Sequence, residues 1–444
     1  MKGRGARRLA ACCLAAAAWG TAPAQQTTCR GAISMPGSGE TNGFPQCVTA
    51  DPWTGEVFVC DARKNRVTIF DRDDIFRYRI EGGDVFSAPV DVAVDPWGYL
   101  LVLANHRRHR AIVELDFDGR YLREIRPAVP PEVTVEPTFK SLAVSPDGTR
   151  LYLTDQANLV LWILERDGGV VALVDLAGET SESDRRDMIL AKVDVYGETV
   201  LVAVPSAGQI RLFDLDGKPA GVAGVKGTAP CQLGFPMAAA MDEEGNLLVV
   251  DQQRMLVVRW DPRGNRCLGE SVGAGSVPCR LYYPLDLSLG RNGRAHVAQG
   301  YQGWVQSFDG FSASRVPSGE STPALSRGVV HPAERVAESI RDWARARSEG
   351  WAQRYLDHYS VAFRPAGRES FAAWEEEQRN RLVAVEFAFE EISEPEIDFP
   401  RPGLARARFL RHGGGGDASR EVVLILRREW EGWKILEERE RPAP

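Results

Sequence analysis

A carboxylate recurs at corresponding positions of a segment that the sequence repeats six times. Carboxylate oxygens are the ligands that a hard cation such as Ca²⁺ prefers, so these side chains are candidates for a metal site. The alternative, which we favour, is that each Asp accepts backbone N–H hydrogen bonds and caps its own loop. The residues are Asp61, Asp155 and Asp251, directly after a short apolar strand, and Asp91 and Asp286, near the start of a strand.

Basic side chains occur in corresponding loops of the first two copies of the segment. Adjacent copies would bring them together into one positive surface, which could recognise a cell-wall carboxylate, a phosphate-bearing glycan or an acidic protein. The alternative, which we favour, is solvated loop charge that is partly paired with nearby aspartates. The candidate partner-binding residues are Arg63, Lys64 and Arg66 in the first loop and Asn105, Arg107, Arg108, His109 and Arg110 in the second.

Recognisable catalytic motifs are absent from the sequence. It has no nucleophile elbow, no phosphate-binding glycine loop and no His-Glu-x-x-His pattern. His106, His109 and His296 do not obviously supply the convergent histidines that zinc chemistry requires. We therefore expect a non-catalytic protein that needs no cofactor and no zinc, with Ca²⁺ at the acidic positions as the one alternative.

Six cysteines follow residue 24. Disulfides persist in an oxidising compartment, and Cys267 and Cys279 flank a loop rich in Gly, Ser and Pro, so we predict a disulfide between them. Cys47 and Cys60 lie at mirror positions about a turn and could pair across a hairpin. We favour the alternative that Cys60 is simply a small buried residue in a strand.

Residues 1–24 have the pattern of a secretory signal. Four basic residues precede an apolar run that ends at Trp19, and Ala22-Pro-Ala24 offers a small-residue cleavage site. We therefore expect a periplasmic or secreted protein. The residues before Cys12 resemble a lipidation motif, but no apolar core precedes them, so we do not favour lipidation of Cys12. No other apolar run is long enough to span a bilayer.

Composition limits the classes of protein that remain. A chain of 444 residues is too long for one core, so we expect at least two domains. The hydrophobic content of 44% and charged content of 26% are ordinary for a soluble globular protein. The net charge of −7 argues against nucleic-acid binding by the chain as a whole.

The repeated segment occupies residues 43–315, after an N-terminal segment at 25–42. Each copy contains short strands separated by turn residues, and strands such as 57–59 and 248–250 are apolar at every position. A sheet with two apolar faces must pack between neighbours on both sides. Six such four-stranded sheets arranged in a ring form a β-propeller, which is the fold we predict.

Particular motifs connect the repeat with a known family. Phe44-Pro45, an Asp-x-x-Gly turn, Val57-Phe-Val-Cys-Asp61 and Asn65-Arg-Val-Thr-Ile-Phe-Asp71 resemble the NHL repeat. The resemblance covers residues 43 to about 315 and implies a six-bladed propeller with a rim around its channel mouth. That rim would carry Asp61, Asp91, Asp155, Asp251, Asp286 and Gln299.

Beyond a linker at 316–335, the sequence pattern changes to that of an α+β domain at 336–441. A helix is predicted from Val336 and another at 369–382, followed by strands at 385–389, 404–410, 421–426 and 432–436. Tyr355-Leu-Asp-His-Tyr359 and Gly432-Trp-Lys-Ile-Leu436 resemble the cone-shaped nuclear transport factor two-like fold, in the form found at the C-termini of bacterial envelope proteins such as L,D-transpeptidases.

That resemblance implies a pocket between the helices and the curved antiparallel sheet. Trp343, Tyr355, Tyr359 and Trp374 could line it. Aromatic residues at helical spacing are more often core residues, and we favour that alternative.

Two functional hypotheses follow from the sequence. The first is an exported, non-catalytic binding or scaffold protein whose propeller channel face recognises a protein or cell-wall glycan. The second is a hydrolase or lyase with a metal at the channel mouth. Propellers host both kinds of function, so the fold alone does not decide between them.

Overall fold

A computed structural model describes residues 27–33, 43–107, 109–116, 118–131, 133–178, 180–290, 292–312, 332–365, 370–384, 391–401, 403–412, 419–429 and 432–442. Within these residues the chain forms six four-stranded antiparallel sheets, followed by a unit of helices and one five-stranded sheet. The predicted signal segment at 1–24 and most of the predicted linker lie outside the described residues.

The strands of the six sheets follow one another along the chain after β1 (Thr28–Ile33). The first three sheets contain β2 (Pro45–Ala50), β3 (Val57–Asp61), β4 (Arg66–Phe70) and β5 (Phe76–Glu81); β6 (Ser87–Val94), β7 (Leu100–His106), β8 (His109–Leu115) and β9 (Tyr121–Ile125); and β10 (Phe139–Val144), β11 (Arg150–Asp155), β12 (Val160–Glu165) and β13 (Val170–Asp175).

After a short helix, α1 (Glu182–Arg186), three further sheets complete the set. They contain β14 (Val193–Tyr196), β15 (Thr199–Val204), β16 (Gln209–Phe213) and β17 (Pro219–Ala223); β18 (Pro236–Met241), β19 (Leu247–Asp251), β20 (Leu256–Asp261) and β21 (Arg266–Ser271); and β22 (Asp286–Leu289), β23 (Ala295–Gln299) and β24 (Trp304–Asp309), with β1 as the fourth strand.

The sheets are arranged in a closed ring, which is the architecture of a β-propeller. The first strand of each sheet contacts the first strand of the next, and β22 contacts β2 to close the circle. The last sheet is completed by β1, so the beginning and the end of the propeller sequence share one sheet. β1 pairs antiparallel with β24, and Ile33 lies opposite Val305. The N-terminal segment at 25–42 had no predicted role, because a strand that pairs about 270 residues away leaves no local sequence pattern.

Burial of both sheet faces stabilises the ring, as the apolar strands predict. Every residue of β3 and every residue of β19 is buried. Apolar side chains of neighbouring sheets fill the space between them; Phe58 of the first sheet, for example, packs in one cluster with Leu100 of the second. Each such fully buried side chain contributes about 1.5–3 kcal/mol relative to the exposed state.

Three disulfides join the described cysteines, and the predicted Cys267–Cys279 disulfide is wrong. Cys267 pairs with Cys231, and Cys279 pairs with Cys29. In both cases a cysteine in the loop before the first strand of a sheet is joined to the fourth strand of the same sheet. For the last sheet that fourth strand is β1, so spacing along the chain could not indicate the partner of Cys279.

Cys47 and Cys60 also form a disulfide, which corrects the preference for an unpaired Cys60. The two residues lie directly opposite each other in the pairing of β2 with β3. Cys60 is fully buried as well, so it is both a core residue and half of a cross-strand disulfide.

In its described residues, the C-terminal unit contains three helices and five strands. Helices begin within four residues of both predicted starts, and strands cover the predicted 404–410, 421–426 and 432–436, whereas the predicted strand at 385–389 lies outside the described residues. The elements are α2 (Pro332–Ser348), α3 (Ala352–Leu356), α4 (Phe371–Ala384), β25 (Glu391–Ile392), β26 (Glu396–Arg401), β27 (Leu404–His412), β28 (Arg420–Glu429) and β29 (Gly432–Pro442). Among the described residues, no helix is long and apolar enough to cross a membrane.

The C-terminal unit contacts the propeller on the side where the first strands of the sheets end, which we call the docking face. Arg428 of β28 is buried there, donates a hydrogen bond to the Asp95 carbonyl oxygen (3.0 Å) and forms an ion pair with the Asp51 carboxylate. Arg335 of α2 lies 3.5 Å from the Asp116 carboxylate on the same face. The opposite side, where the first strands begin, is the mouth face.

Candidate functional site: the propeller mouth

A cavity of about 540 Å³ opens on the mouth face, at the centre of the ring. All six sheets contribute to its wall. Five contribute residues at or just before their first strands, and the fourth sheet contributes the loop before β14. Ligand sites in proteins typically have volumes of about 300–1,000 Å³, so the cavity has the size of a small-ligand or side-chain pocket. The polar and charged lining residues are Gln46, Asp91, Lys140, Ser141, Gln156, Lys192 and Asp286.

An ion-paired lysine forms the floor of the cavity. The Lys192 ammonium lies 2.8 Å from the Asp91 carboxylate and 2.9 Å from the Asp286 carboxylate. Asp91 also accepts hydrogen bonds from the Ser141 hydroxyl (2.5 Å) and the Leu142 N–H (3.0 Å). Hydrogen bonds to both oxygens of such carboxylates fix their orientation, so the floor has one arrangement before any ligand arrives.

Burial and charge act in opposite directions on these groups. Burial lowers the pKa of the Lys192 ammonium, but the Asp286 and Asp91 carboxylates outweigh burial and hold that pKa above its ordinary value. Burial, together with the neighbouring Asp91 carboxylate, raises the pKa of Asp286. Burial also raises the pKa of Asp194, the next carboxylate along the channel, to about 6. Lys192 therefore stays protonated at neutral pH and is unsuited to act as a nucleophile or base.

The six residues expected on one rim fall into two groups. Asp91 and Asp286 line the cavity, whereas the other four are fully buried beneath loops. Asp61 accepts hydrogen bonds from the N–H groups of Gly43 (2.6 Å) and Lys64 (3.0 Å). Asp155 and Asp251 each accept backbone N–H hydrogen bonds in the equivalent loops, and the side-chain oxygen of Gln299 accepts one from Tyr282 (2.6 Å). These four side chains fasten the loops that shape the mouth.

The basic residues expected to form one patch have separate roles. Arg66 is only 3% exposed, and the His109 ring lies 2.6 Å from the Glu124 carboxylate. The Arg63 guanidinium lies over the Phe44 ring, 5.6 Å from its centroid. Burial lowers the pKa of Arg110. Lys64 and Asn105 are half-buried, Arg107 is exposed and Arg108 lies outside the described residues, so only part of the expected patch is available to a partner.

Sequence reasoning missed the most central residue, Lys192. It precedes the most degenerate copy of the repeat, so it matches no motif. One signal was available: the sequence has only seven lysines, and one of them lies among buried strands. Its partners are 101 and 94 residues away along the chain, which is why their convergence required the folded ring.

The four aromatic residues assigned to a second pocket lie in the core of the C-terminal unit. Trp343, Tyr355, Tyr359 and Trp374 are at most 8% exposed and belong to one apolar cluster. The Trp343 indole donates to the Tyr359 hydroxyl (3.1 Å), which in turn donates to Glu438 (2.6 Å). This arrangement of satisfied, buried aromatics is the core alternative that the sequence favoured.

Metal-binding clusters are not found in the described part of the chain. There, no group of three or more His, Cys, Asp and Glu side chains is placed to hold a metal ion. The two carboxylates that converge at the mouth face the Lys192 ammonium, which occupies the position where a cation would balance their charge.

Neither a protein-family model nor a curated protein matches the sequence. Solved structures with a similar fold include a protein of unknown function from Bacteroides thetaiotaomicron, with 13% identity over 61% of this chain and 70% of that chain and a TM-score of 0.48. They also include a hydrazine synthase chain from Kuenenia stuttgartiensis (14% identity, 64% and 99% coverage, TM-score 0.43) and virginiamycin B lyase from Staphylococcus aureus (12% identity, 64% and 99% coverage, TM-score 0.43). At this level of likeness, these proteins carry no inference about activity or ligand.

Proposed function

We propose that the protein is an exported, non-catalytic binding protein that recognises a protein or glycan of the cell envelope at its propeller mouth. The mouth cavity with its fixed, charge-paired floor is the observation that carries this proposal. A concave site with a few convergent polar groups is the usual form of a ligand site. The groups that converge here can bind hydrogen-bonding partners without rearranging.

The chemistry of the floor supports binding over catalysis. Lys192 is protonated and paired on two sides, and Asp91 is held by hydrogen bonds from Ser141 and Leu142. A general base must be free to accept a proton, and a nucleophile must be deprotonated. The alternative function is that of a hydrolase or lyase with a metal at the mouth, and its metal would have to displace Lys192 from both carboxylates.

The proposal extends to the family and location of the two units. We assign the ring to the NHL-type propellers on the motifs of its first, second and fifth repeats, and the C-terminal unit to the nuclear transport factor two-like fold on its helix-then-sheet order. Three disulfides agree with an oxidising compartment such as the periplasm or the exterior of the cell. Because the C-terminal unit docks on the opposite face, it leaves the mouth open to a partner.

A blocking substitution at the mouth tests the proposal. Ile189 lines the cavity and is 42% exposed, so Ile189→Trp fills the entrance without disturbing the core. Val171→Trp is the matched control, since Val171 is 40% exposed on the outer strand β13. Each immobilised protein is incubated with envelope extract of the producing organism, and the retained protein and carbohydrate are analysed.

We expect the unsubstituted protein and Val171→Trp to retain the same component and Ile189→Trp to lose it. Retention of that component by Ile189→Trp at full yield would show that the mouth is not the binding site.

A further inference from the structure

Four aromatic side chains form a continuous row beside the mouth, which we call the aromatic ladder. Phe44 contacts Tyr301 edge to face, with ring centroids 5.7 Å apart. Tyr301 contacts Tyr283 at 5.9 Å, and Tyr283 contacts Tyr282 at 4.9 Å. The ladder crosses from the start of the first sheet to the loops of the last sheet, so it exists only because the ring closes.

The three tyrosines of the ladder are open to solvent. Tyr301 is 70% exposed, Tyr283 is 42% exposed and Tyr282 is 37% exposed. A single exposed aromatic residue is unremarkable, but a contiguous group of exposed rings on one face is typical of a binding surface. Neighbouring rings of the ladder meet edge to face, which is a geometry that aromatic pairs prefer.

The loops that carry the ladder are held in place by covalent and hydrogen bonds. The loop before β22 is joined to β1 by the Cys29–Cys279 disulfide, and the Cys279 N–H donates to the Gln306 side chain (2.6 Å). The Tyr282 N–H donates to the buried Gln299 side chain (2.6 Å). A rigid aromatic surface loses little conformational entropy when a ligand binds, which increases affinity.

Close packing fixes the Phe44 end of the ladder and connects it with the cavity. A Cβ atom at Gly300 would lie 2.6 Å from Leu285 and 2.8 Å from the Phe44 ring, so a larger residue at this position would displace those two side chains. Phe44 and Leu285 also line the mouth cavity. The exposed rings and the polar cavity therefore form one continuous surface.

We infer that the aromatic ladder binds an uncharged saccharide chain whose end enters the mouth cavity; this inference rests on the proposed function and names the class of its ligand. A pyranose ring presents C–H groups on its face and hydroxyl groups at its edge. The faces pack on tyrosine rings, while the edge hydroxyls exchange hydrogen bonds with tyrosine hydroxyls and with the side-chain amide of Gln46.

The charge of the cavity favours a neutral ligand. Its lining contains two carboxylates, Asp91 and Asp286, and two ammonium groups, Lys140 and Lys192. Because these four charges balance, the lining itself offers a charged ligand no net attraction, whereas hydroxyl groups can both donate to and accept from the lining groups.

Isothermal titration of the full chain with neutral hexasaccharides of glucose, mannose, xylose and N-acetylglucosamine tests the inference. We expect at least one of them to bind and Tyr301→Ala to weaken its affinity at least tenfold. Tyr301→Phe, which keeps the ring, should retain most of that affinity. Tyr121→Ala is the matched control, since Tyr121 is 42% exposed but lies on the outer strand β9.

Binding of none of the four hexasaccharides, or equal affinity of Tyr301→Ala and Tyr121→Ala, would overturn the inference. The mouth capture experiment separates this failure from failure of the proposed function. If Ile189→Trp loses an envelope protein that Tyr301→Ala still retains, the mouth is a binding site and the saccharide inference is wrong. If Ile189→Trp and Tyr301→Ala both retain the component at full yield, both proposals are wrong.

Discussion

The two ends of the propeller channel are built by the same repeat and yet differ in what covers them. At the mouth face the channel widens into a cavity of about 540 Å³. At the docking face a space of about 70 Å³ remains, and Trp53, which lines it, lies against Gly403 of the C-terminal unit. Lys192 lines both spaces and so separates them.

Carboxylates of the repeat perform different tasks at the two ends. At the mouth face Asp61 and Asp251 accept hydrogen bonds from backbone N–H groups of nearby loops, and Asp155 accepts hydrogen bonds from backbone N–H groups and from the Asn158 and Trp162 side chains. At the docking face the Asp-Pro-Trp turns of the first two sheets offer Asp51 and the Asp95 carbonyl to Arg428, a residue of the C-terminal unit. The docking face is therefore covered by the C-terminal unit, whereas that unit leaves the mouth face uncovered.

Removal of the Cys29–Cys279 disulfide should cause the largest decrease in stability. This disulfide holds the loop before β22 at the mouth face. The disulfide closes a loop of 250 residues, against 13 for Cys47–Cys60. The chain-entropy model gives decreases in the free energy of unfolding of about 5.5 and about 3 kcal/mol, respectively. Guanidinium unfolding of the Cys29→Ala/Cys279→Ala and Cys47→Ala/Cys60→Ala variants measures the two values. Equal losses would contradict a role for ring closure by β1.

Lys192→Met should destabilise the centre of the channel by about 4–5 kcal/mol. The substitution leaves the Asp91 and Asp286 carboxylates facing each other without the ammonium between them, and breaking a buried ion pair costs about 3–5 kcal/mol. Lys140→Met, at the exposed edge of the same cavity, is the control and should be near neutral. The free energies of unfolding are measured in urea. Equal values for Lys192→Met and Lys140→Met would show that the ion pairs of Lys192 do not stabilise the channel.

Arg428→Ala should lower the free energy of unfolding by about 3–4 kcal/mol, because the buried Asp51 carboxylate then has no cation beside it. Asp51 keeps its hydrogen bonds from Trp53 and Thr54, so the loss is smaller than at Lys192. Arg439→Ala, a change at a 75% exposed arginine of β29, is the control. Thermal unfolding compares the variants, and a Tm of Arg428→Ala equal to that of Arg439→Ala would mean that the two units are not joined at this residue.

Glu56→Gln should change the pH dependence of the protein's stability: its effect on the free energy of unfolding should differ by about 3 kcal/mol between low and neutral pH. Burial, and then the Asp51 carboxylate, raise the pKa of Glu56 to about 7, from 4.5 in an exposed glutamate. The folded protein therefore binds the proton more tightly than the unfolded chain, and stability falls as the pH rises from about 4.5 to about 7. Glu56→Gln has no carboxyl group at this position, so this decrease in stability with rising pH is absent from the variant.

Unfolding at pH 4.5 and pH 7.5 measures the effect. We expect the two proteins to be similar at the lower pH and Glu56→Gln to be the more stable at the higher pH. A stability difference that does not change between the two pH values would contradict the raised pKa.

Sequence reasoning succeeded where structure is local and failed where the ring brings distant residues together. The apolar strands at 57–59 and 248–250 specify buried sheets, and their recurrence predicts the six four-stranded sheets that are observed. Lys192 and Arg428 were missed because their carboxylate partners lie about 100 and 377 residues away.

The disulfide error and the aromatic ladder have the same physical cause. Cys279 could be paired only once β1 was known to complete the last sheet. Phe44 and Tyr301 are adjacent only after that closure, although they are separated by most of the propeller sequence. Ring closure is a global property, and no window of the sequence contains it.

A crystal structure of the full chain with the component that it retains from envelope extract would test the central claim most directly. The account predicts that the bound component fills the mouth cavity above Lys192, with Arg428 still buried at the docking face. A ligand bound on the C-terminal unit or at the docking face, with the mouth empty, would contradict it.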